Sequence, residues 1–410
     1  MNGGWDRQNC LQSYYITIEA YKEVQNFFVR FFARSDCVHE QVEKLGPVSR
    51  VAGVDCECPL YCQKKCNRYK TEKRCTVMEK SEKRKVLVTA HRQDETEIFE
   101  KINQRFGFLL TYMPEQLTLE NTERLKGYDA VAINAGCKVD QDMARAMQAA
   151  GIRFIATRTA GKDHIDKNEI KKCGIKAANV PGYSPNAISE HTVLLILSLL
   201  RKMKTQLKRI EEQYFFLNGL RGRELKSMTV GVIGTGKIGT ATIQDLSGFG
   251  CRILANGHHP NQEVQRLAEQ VDLETLLEQS DIVVLHCPMS EQNYHMINAG
   301  TIQRMKPGAL LVNTARGGLV DTQAVYEALQ NRKLGGFAMD VYEYENLTAR
   351  KDYRGKPLDD SLLSRLLAMD QVLFTTHTAF YTDQAIENIV ESSLKNLASF
   401  FQTGESGNEI

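Results

Sequence analysis

From residue 85 onward the chain alternates short apolar runs with longer segments in which apolar and charged positions recur at helical spacing. The runs at 86–90, 108–111, 130–134 and 154–157 read as strands. Charged stretches of helical length separate them, at 95–106 and 140–150. A second series of runs follows at 229–233, 252–255, 281–286, 309–313, 336–340 and 371–375, several of them continuous β-branched or aliphatic stretches as expected for strands covered on both faces. Strands alternating with helices form a parallel α/β sheet, so two series predict two doubly wound domains in tandem. Between them, 186–208 reads as one long helix whose start is marked by the prolines at 181 and 185. Its 193–200 section is apolar all round, which predicts burial between domains or subunits. A final helix over 384–401 could cover either sheet.

The segment before residue 85 has a different character. Leu11, Tyr14, Tyr15, Ile18, Tyr21, Phe28 and Phe32 recur at helical spacing and predict an amphipathic helix packed on another surface. Cys56, Cys58, Cys62, Cys66 and Cys75 then fall close together. Residues 1–85 carry 16 basic against 11 acidic side chains, so this is a basic, cysteine-rich appendage. The cysteine spacing fits neither the paired C-x-x-C of common zinc modules nor a ferredoxin run. Five clustered thiols leave two readings open, a bound Zn²⁺ or iron–sulfur cluster and reduced cysteines, and no metal is assigned.

Composition narrows the class. With 42% hydrophobic and 25% charged residues and a formal net charge of +2, the chain has the balance of a soluble globular protein, without the charge bias of a nucleic-acid or membrane binder. Its longest largely apolar run, 193–200, is too short to span a bilayer, and its first residues do not show a basic region followed by an apolar stretch and a small-residue cleavage site, so a cytoplasmic enzyme and not a secreted one is expected.

Gly234, Gly236 and Gly239 form a G-x-G-x-x-G pattern after the strand at 229–233 and at the start of a helical segment. In that context Gly234 permits the tight turn, Gly236 lets backbone approach a pyrophosphate, and Gly239 lets helix pack on sheet. The pyrophosphate would meet the positive end of the helix dipole, near Lys237 and Ile238. The acid expected after the next strand, to accept from the adenosine ribose, is absent: Gly257, His258 and His259 stand there. Loss of the carboxylate removes its repulsion of a 2′-phosphate, and the histidines could donate to one, so NADP acceptance joins NAD as an expectation.

Three later strand ends deliver chemistry: Arg316, the carboxylates Asp340, Glu343 and Glu345, and His377. In open parallel sheets ligands bind beyond the carboxyl ends of the strands, so these groups are candidates for one site.

The stretches 179–191, 230–239, 313–321, 339–345 and 377–382 resemble the D-isomer-specific 2-hydroxyacid dehydrogenase family, in particular its D-lactate dehydrogenase branch, including the vancomycin-resistance type. The resemblance implies a Rossmann-type cofactor domain at 184–378 and a flavodoxin-like substrate domain at 85–183 and 379–410; residues 1–84, which it does not explain, form an N-terminal extension. It implies His377 as general acid, Glu345 as its partner and Arg316 as the grip on substrate carboxylate and carbonyl oxygen. Family spacing selects Glu345 over Glu343. Backbone donors at Gly136, Cys137 and Lys138, the hydroxyl of Tyr183 and the ring of Phe380 would complete the substrate site, with the Cys137 thiol itself a small buried hydrophobe. Asp340 would orient the nicotinamide carboxamide, while Pro288 and Thr314 would line the cofactor site. Asn134 departs from relatives with an aromatic residue there, which loosens the side-chain pocket. His191 and His286 read as structural. The implied activity is reduction of a small 2-keto acid, pyruvate foremost, by NAD(P)H in a homodimer. The alternatives are a larger 2-keto acid and a nucleotide-sensing corepressor-like protein of the same fold.

Overall fold

The computed structural model describes residues 83–258, 261–348 and 351–410. The N-terminal helix, the five clustered cysteines and His259 lie outside the described residues. Strands β1 (Lys85–Thr89), β2 (Leu109–Met113), β3 (Ala130–Ile133), β4 (Phe154–Thr157) and β5 (Lys176–Ala178) form one sheet, in the order β2-β1-β3-β4-β5. A second sheet holds β6 (Thr229–Ile233), β7 (Arg252–Asn256), β8 (Glu269–Gln270), β9 (Ile282–Leu285), β10 (Ala309–Asn313), β11 (Leu334–Met339) and β12 (Val372–Phe374). Its order is β12-β11-β10-β9-β6-β7-β8. Every pairing is parallel. Strand order reverses between β1 and β3 in the first sheet and between β6 and β9 in the second, and a crevice for ligand opens beyond such points.

Burial explains the composition of these strands. All four residues of β9 are inaccessible to solvent, because helices cover both sheet faces. In the first sheet alternate residues serve opposite cores. Leu87, Val131 and Ile155 pack with Met143 and Met147 on one side. Val86, Val88 and Phe154 face Phe99, Ile386, Ile389, Leu394 and Leu397 on the other. The last helix, Asp383–Thr403, therefore covers the first sheet, the point periodicity left open.

The single helix expected at 186–208 is two, Pro185–Leu200 and Met203–Glu211, separated by Lys202 in the left-handed region at φ 52°. Beyond the break, Lys204 Nζ donates to the carbonyls of Leu367, Met369 and Val372 at 2.7, 2.8 and 3.1 Å, which fixes the second helix against the end of β12. The first helix is buried through Val193, Leu195 and Ile196, but Leu194 is 55% exposed, so burial is not all round as its composition predicted. Strands β5 and β8, three and two residues long, are too short to show a period in the sequence. Among the described residues no helix is long and apolar enough to cross a membrane, and no cluster of His, Cys, Asp or Glu could hold a metal.

At the carboxyl end of the first sheet a buried ion pair braces the loops that face the second. Arg158 Nη1 donates to Glu95 Oε2 at 2.9 Å, and its Nη2 donates to the carbonyls of Thr89 and Ala90 at 2.7 and 3.2 Å. Both side chains are nearly inaccessible. Glu95→Ala removes the carboxylate from a buried guanidinium and should lower stability by about 3 kcal/mol, read as a fall in urea midpoint. Combining it with Arg158→Met should recover part of that loss; a single variant as stable as wild type would contradict this role.

Candidate active site

Buried Asn313 closes β10. Its Oδ1 accepts from Ala315 N at 3.1 Å and its Nδ2 donates to Arg316 O at 2.9 Å, folding the chain into a turn that carries Arg316. Gly317 then lies against the backbone after β11: a Cβ there would be 2.2 Å from Tyr342 C, so only glycine lets the two strand ends approach. Arg316 Nη1 donates to Ala315 O at 2.7 Å, and its Nε donates to Asp163 Oδ2 at 3.3 Å, on a loop of the first sheet.

After β12 the chain turns sharply and His377 takes φ 55°, a left-handed conformation costly for a residue with Cβ. Asp340, at the end of β11 and 1% exposed, holds that turn. Its Oδ1 accepts from Thr375 Oγ1 at 2.6 Å and Thr378 N at 2.8 Å, and its Oδ2 from Ala379 N at 3.0 Å. The backbone completes the fixture, with His377 N donating to Asp340 O at 2.8 Å.

His377 Nδ1 lies 3.3 Å from Glu345 Oε1. Burial disfavours the imidazolium, but the hydrogen bond and charge of Glu345, with Asp340 behind, outweigh it and raise the pKa above the usual histidine value. Burial likewise opposes ionised Glu345, and His377 overrides it, so the carboxyl is held below the ordinary range. Solvent reaches both through the cleft although protein surrounds them, the two side chains being 43% and 40% accessible. Glu343 has a different environment. It is buried and accepts from His295 Nε2 at 2.6 Å, Tyr294 OH at 3.0 Å and Thr322 Oγ1 at 3.0 Å, which ties three loops together away from His377.

Phe380 links the histidine to the first sheet: its ring lies 6.2 Å from that of His377 and 6.0 Å from that of Tyr183, both edge to face. Burial pushes the Tyr183 hydroxyl up to about 12, so it stays a donor. The loop after β3 holds Gly136, Cys137 and Lys138. Gly136 N donates to Asn134 Oδ1 at 3.0 Å and Cys137 N to Asn134 O at 3.1 Å, so both backbone donors are engaged within the turn. Among the described residues of this loop, the N–H groups of Ala135 and exposed Lys138 carry no such bond. The Cys137 thiol is fully buried and its pKa pushed up to about 12, which removes nucleophilic chemistry.

The glycine-rich turn has the shape of a phosphate cradle. Gly234 sits at φ 101° with its missing Cβ 2.6 Å from Cys287 N, and a Cβ on Gly239 would be 1.8 Å from Gly234 O. A Cβ on Gly236 would meet nothing within 4 Å, so this side of the turn is open. Helix Lys237–Ser247 begins there without a side-chain cap, leaving first-turn N–H groups for an anion, with Lys237 exposed and Ile238 half-buried. Pro288 is exposed just past β9. Thr314 is buried and its hydroxyl pairs with Thr192 Oγ1 at 2.9 Å. A Cβ on Gly257 would lie 2.0 Å from Thr235 Oγ1, and His258 beside it is exposed.

His286 is structural: Nε2 pairs with Thr242 Oγ1 at 2.8 Å, and burial lowers its pKa to about 3. His191 lies closer to the site than its helix position indicated, 3.0 Å from Thr375 Oγ1 and 3.7 Å from Asp340 Oδ1. Asp163 and Thr375 had no signal in the sequence. Both are ordinary loop residues whose importance comes from partners distant along the chain.

This arrangement, a dinucleotide-shaped turn beside an arginine, a carboxylate–histidine pair and a cleft between two parallel sheets, is that of a nucleotide-dependent oxidoreductase. Residues 193–379 match the D-isomer specific 2-hydroxyacid dehydrogenase, NAD binding domain. An aromatic 2-oxoacid reductase of Clostridium sporogenes is 38% identical over 326 residues, 79% of this chain and 98% of that protein. D-lactate dehydrogenase of Escherichia coli is 36% identical, covering 80% of this chain and 99% of that one. The structure of D-lactate dehydrogenase from Aquifex aeolicus complexed with NAD and lactic acid superposes with a TM-score of 0.70 at 30% identity, over 78% of this chain and 98% of that one. The chain belongs to the D-2-hydroxyacid dehydrogenase family.

Asp340→Asn places an NH₂ donor against one of the donors that Asp340 now accepts from. It should cost about 1–3 kcal/mol and lower turnover through misplacement of His377. Thermal unfolding alongside steady-state assay checks this; unchanged stability and kcat would show that the turn does not depend on the carboxylate.

Proposed function

We propose that this chain is a D-lactate dehydrogenase, reducing pyruvate to D-lactate, and that Arg316, Glu345 and His377 carry the reaction. The observation that supports it most is the Glu345–His377 pair at 3.3 Å, carried after β11 and β12 beside the β10 end that bears Arg316. Bound NAD(P)H supplies the hydride. Gly234, Gly236 and Gly239 would cradle its pyrophosphate, with Lys237 and Ile238 at the helix start, Gly257 and His258 at the adenosine ribose and Pro288 beside the base. Asp340 would act on the nicotinamide side chiefly through the turn it holds, and Thr314 through its buried contact with Thr192.

Arg316 pairs with the substrate carboxylate and polarises the keto oxygen by charge-assisted hydrogen bonds. Lys138 and Tyr183, with the loop of Gly136 and Cys137, meet the carboxylate from the first sheet, and Phe380 bounds the methyl side. His377, protonated because Glu345 raises its pKa, gives its proton to the oxygen as C2 is reduced; Glu345 remains ionised throughout. The similarity to aromatic 2-oxoacid reductases supports a second reading in which a larger 2-keto acid is preferred. NADPH acceptance is supported by Gly257, packed against Thr235 where a carboxylate has no room, and by exposed His258. An exposed apolar strip of Leu194, Leu207, Ile210, Phe215, Phe216 and Leu217 supports a homodimer through the paired helices. Free thiols at Cys137, Cys173, Cys251 and Cys287 accord with work in the cytoplasm.

The test is a 2-keto acid panel assayed with NADH and NADPH on wild type and His377→Ala. Pyruvate should be turned over, with kcat/KM for NADPH at least comparable to that for NADH. His377→Ala should lose at least roughly 100-fold in kcat while binding cofactor normally. Cofactor binding without turnover of any keto acid would favour the corepressor-like alternative.

The pH dependence has a definite sign. Reduction needs protonated His377, so kcat/KM falls as pH rises through its raised pKa. Glu345→Gln removes the stabilising charge and should move that fall to lower pH. A basic limb that stays in place would show that Glu345 does not set the histidine.

A further inference from the structure

Arg316 is carried by the second sheet, but what orients its guanidinium belongs to the first. Asp163 Oδ2 accepts from Nε at 3.3 Å across the cleft, and Nη2 rests on Gly161, where a Cβ would be 2.1 Å away. The loop presenting these two residues is braced at both ends. Val180 N donates to Thr159 O at 2.9 Å, Asn179 Nδ2 to Ala160 O at 2.6 Å and Thr159 Oγ1 to Gly161 O at 2.6 Å. Val139 N donates to His164 O and Asp166 N to Val139 O, both at 2.8 Å. His164 is pinned by Thr157 Oγ1 at 3.0 Å, and burial keeps it neutral, with a pKa near 4, so it does not compete for Asp163 as a cation.

Such a shelf is more than an ion pair needs. Asp163 is 55% accessible and Arg316 37%, and pairs so exposed add little to stability. The pair acts on geometry. A guanidinium has five N–H groups in a fixed fork. One on Nε faces Asp163 and one on Nη1 faces Ala315 O, which leaves three, shared between Nη1 and Nη2, for a carboxylate and a keto oxygen. A rotated fork would keep the charge but lose that bidentate aim.

We infer that Asp163 and Gly161 are positioning residues for the arginine: the loop of the first sheet that carries them aims Arg316 at the substrate. This rests on the role proposed above for Arg316.

The experiment compares wild type, Asp163→Asn and Gly161→Ala in steady-state reduction of pyruvate with saturating NADH, with oxamate as a substrate-shaped anion in titration calorimetry and NADH affinity by fluorescence. Both variants should raise KM and weaken oxamate by roughly 10- to 100-fold, with a smaller fall in kcat. NADH affinity, melting temperature and the pH of the basic limb should not move. Wild-type kinetics in both variants would overturn the inference while leaving the proposed reaction intact. A lower KM and tighter oxamate in Asp163→Asn would also overturn it, showing that Asp163 competes with the substrate carboxylate. Loss of NADH binding or melting temperature in both would make the loop structural only. Failure of wild type to reduce pyruvate or any other 2-keto acid would refute the underlying role of Arg316.

Discussion

Asp340 is where the ends of three strands of the second sheet are joined. Its N–H donates to Asn313 O at the end of β10, and its carboxylate takes three donors from the turn after β12. A buried carboxylate is tolerated only when fully hydrogen-bonded, and here the bonds hold His377 in a left-handed conformation it would not otherwise prefer. The same turn sets the 3.3 Å approach of His377 to Glu345 and the edge-to-face contact with Phe380. Without that fixture the charged groups would still cluster, but their mutual geometry would be left to loops.

The rest of the site follows from topology. Parallel strands place their carboxyl ends on one edge, and the reversal between β6 and β9 opens that edge beside the glycine-rich turn. The first sheet repeats the arrangement with β1 and β3 and presents its own strand-end loops. Arg316 is where the two meet: its backbone is fixed by Asn313 on one sheet and its side chain by Asp163 on the other. In the proposed reaction, polarising the keto oxygen falls to Arg316 after β10 and protonating it to His377 after β12, each oriented by a different partner.

Much of this was legible in sequence because it is local. Glycines at 234, 236 and 239 directly follow an apolar strand, and that order has few uses besides a phosphate-binding turn. Arg316, Glu345 and His377 each follow a strand within a few residues, so their edge placement needed no tertiary information. Distinguishing Glu345 from Glu343 needed family spacing, and the structure shows the physical difference: one faces the cleft histidine, the other is enclosed by Tyr294, His295 and Thr322. Other features depend on contacts far apart along the chain. Asp163 lies 153 residues before Arg316, and no local pattern marks it. The break at Lys202 has no glycine or proline to announce it, and it depends on where Lys204 finds its carbonyls. Engagement of the Gly136 and Cys137 N–H groups by Asn134 was equally hidden, since sequence shows donors but not which are already bonded.

The handedness of the product reports on the proposed reaction as a whole. Chiral chromatography of the lactate formed from pyruvate and NAD(P)H reports which face of the ketone Arg316 and His377 present to the cofactor. D-lactate alone is expected; L-lactate or a racemate would rule out the proposed arrangement of Arg316 and His377.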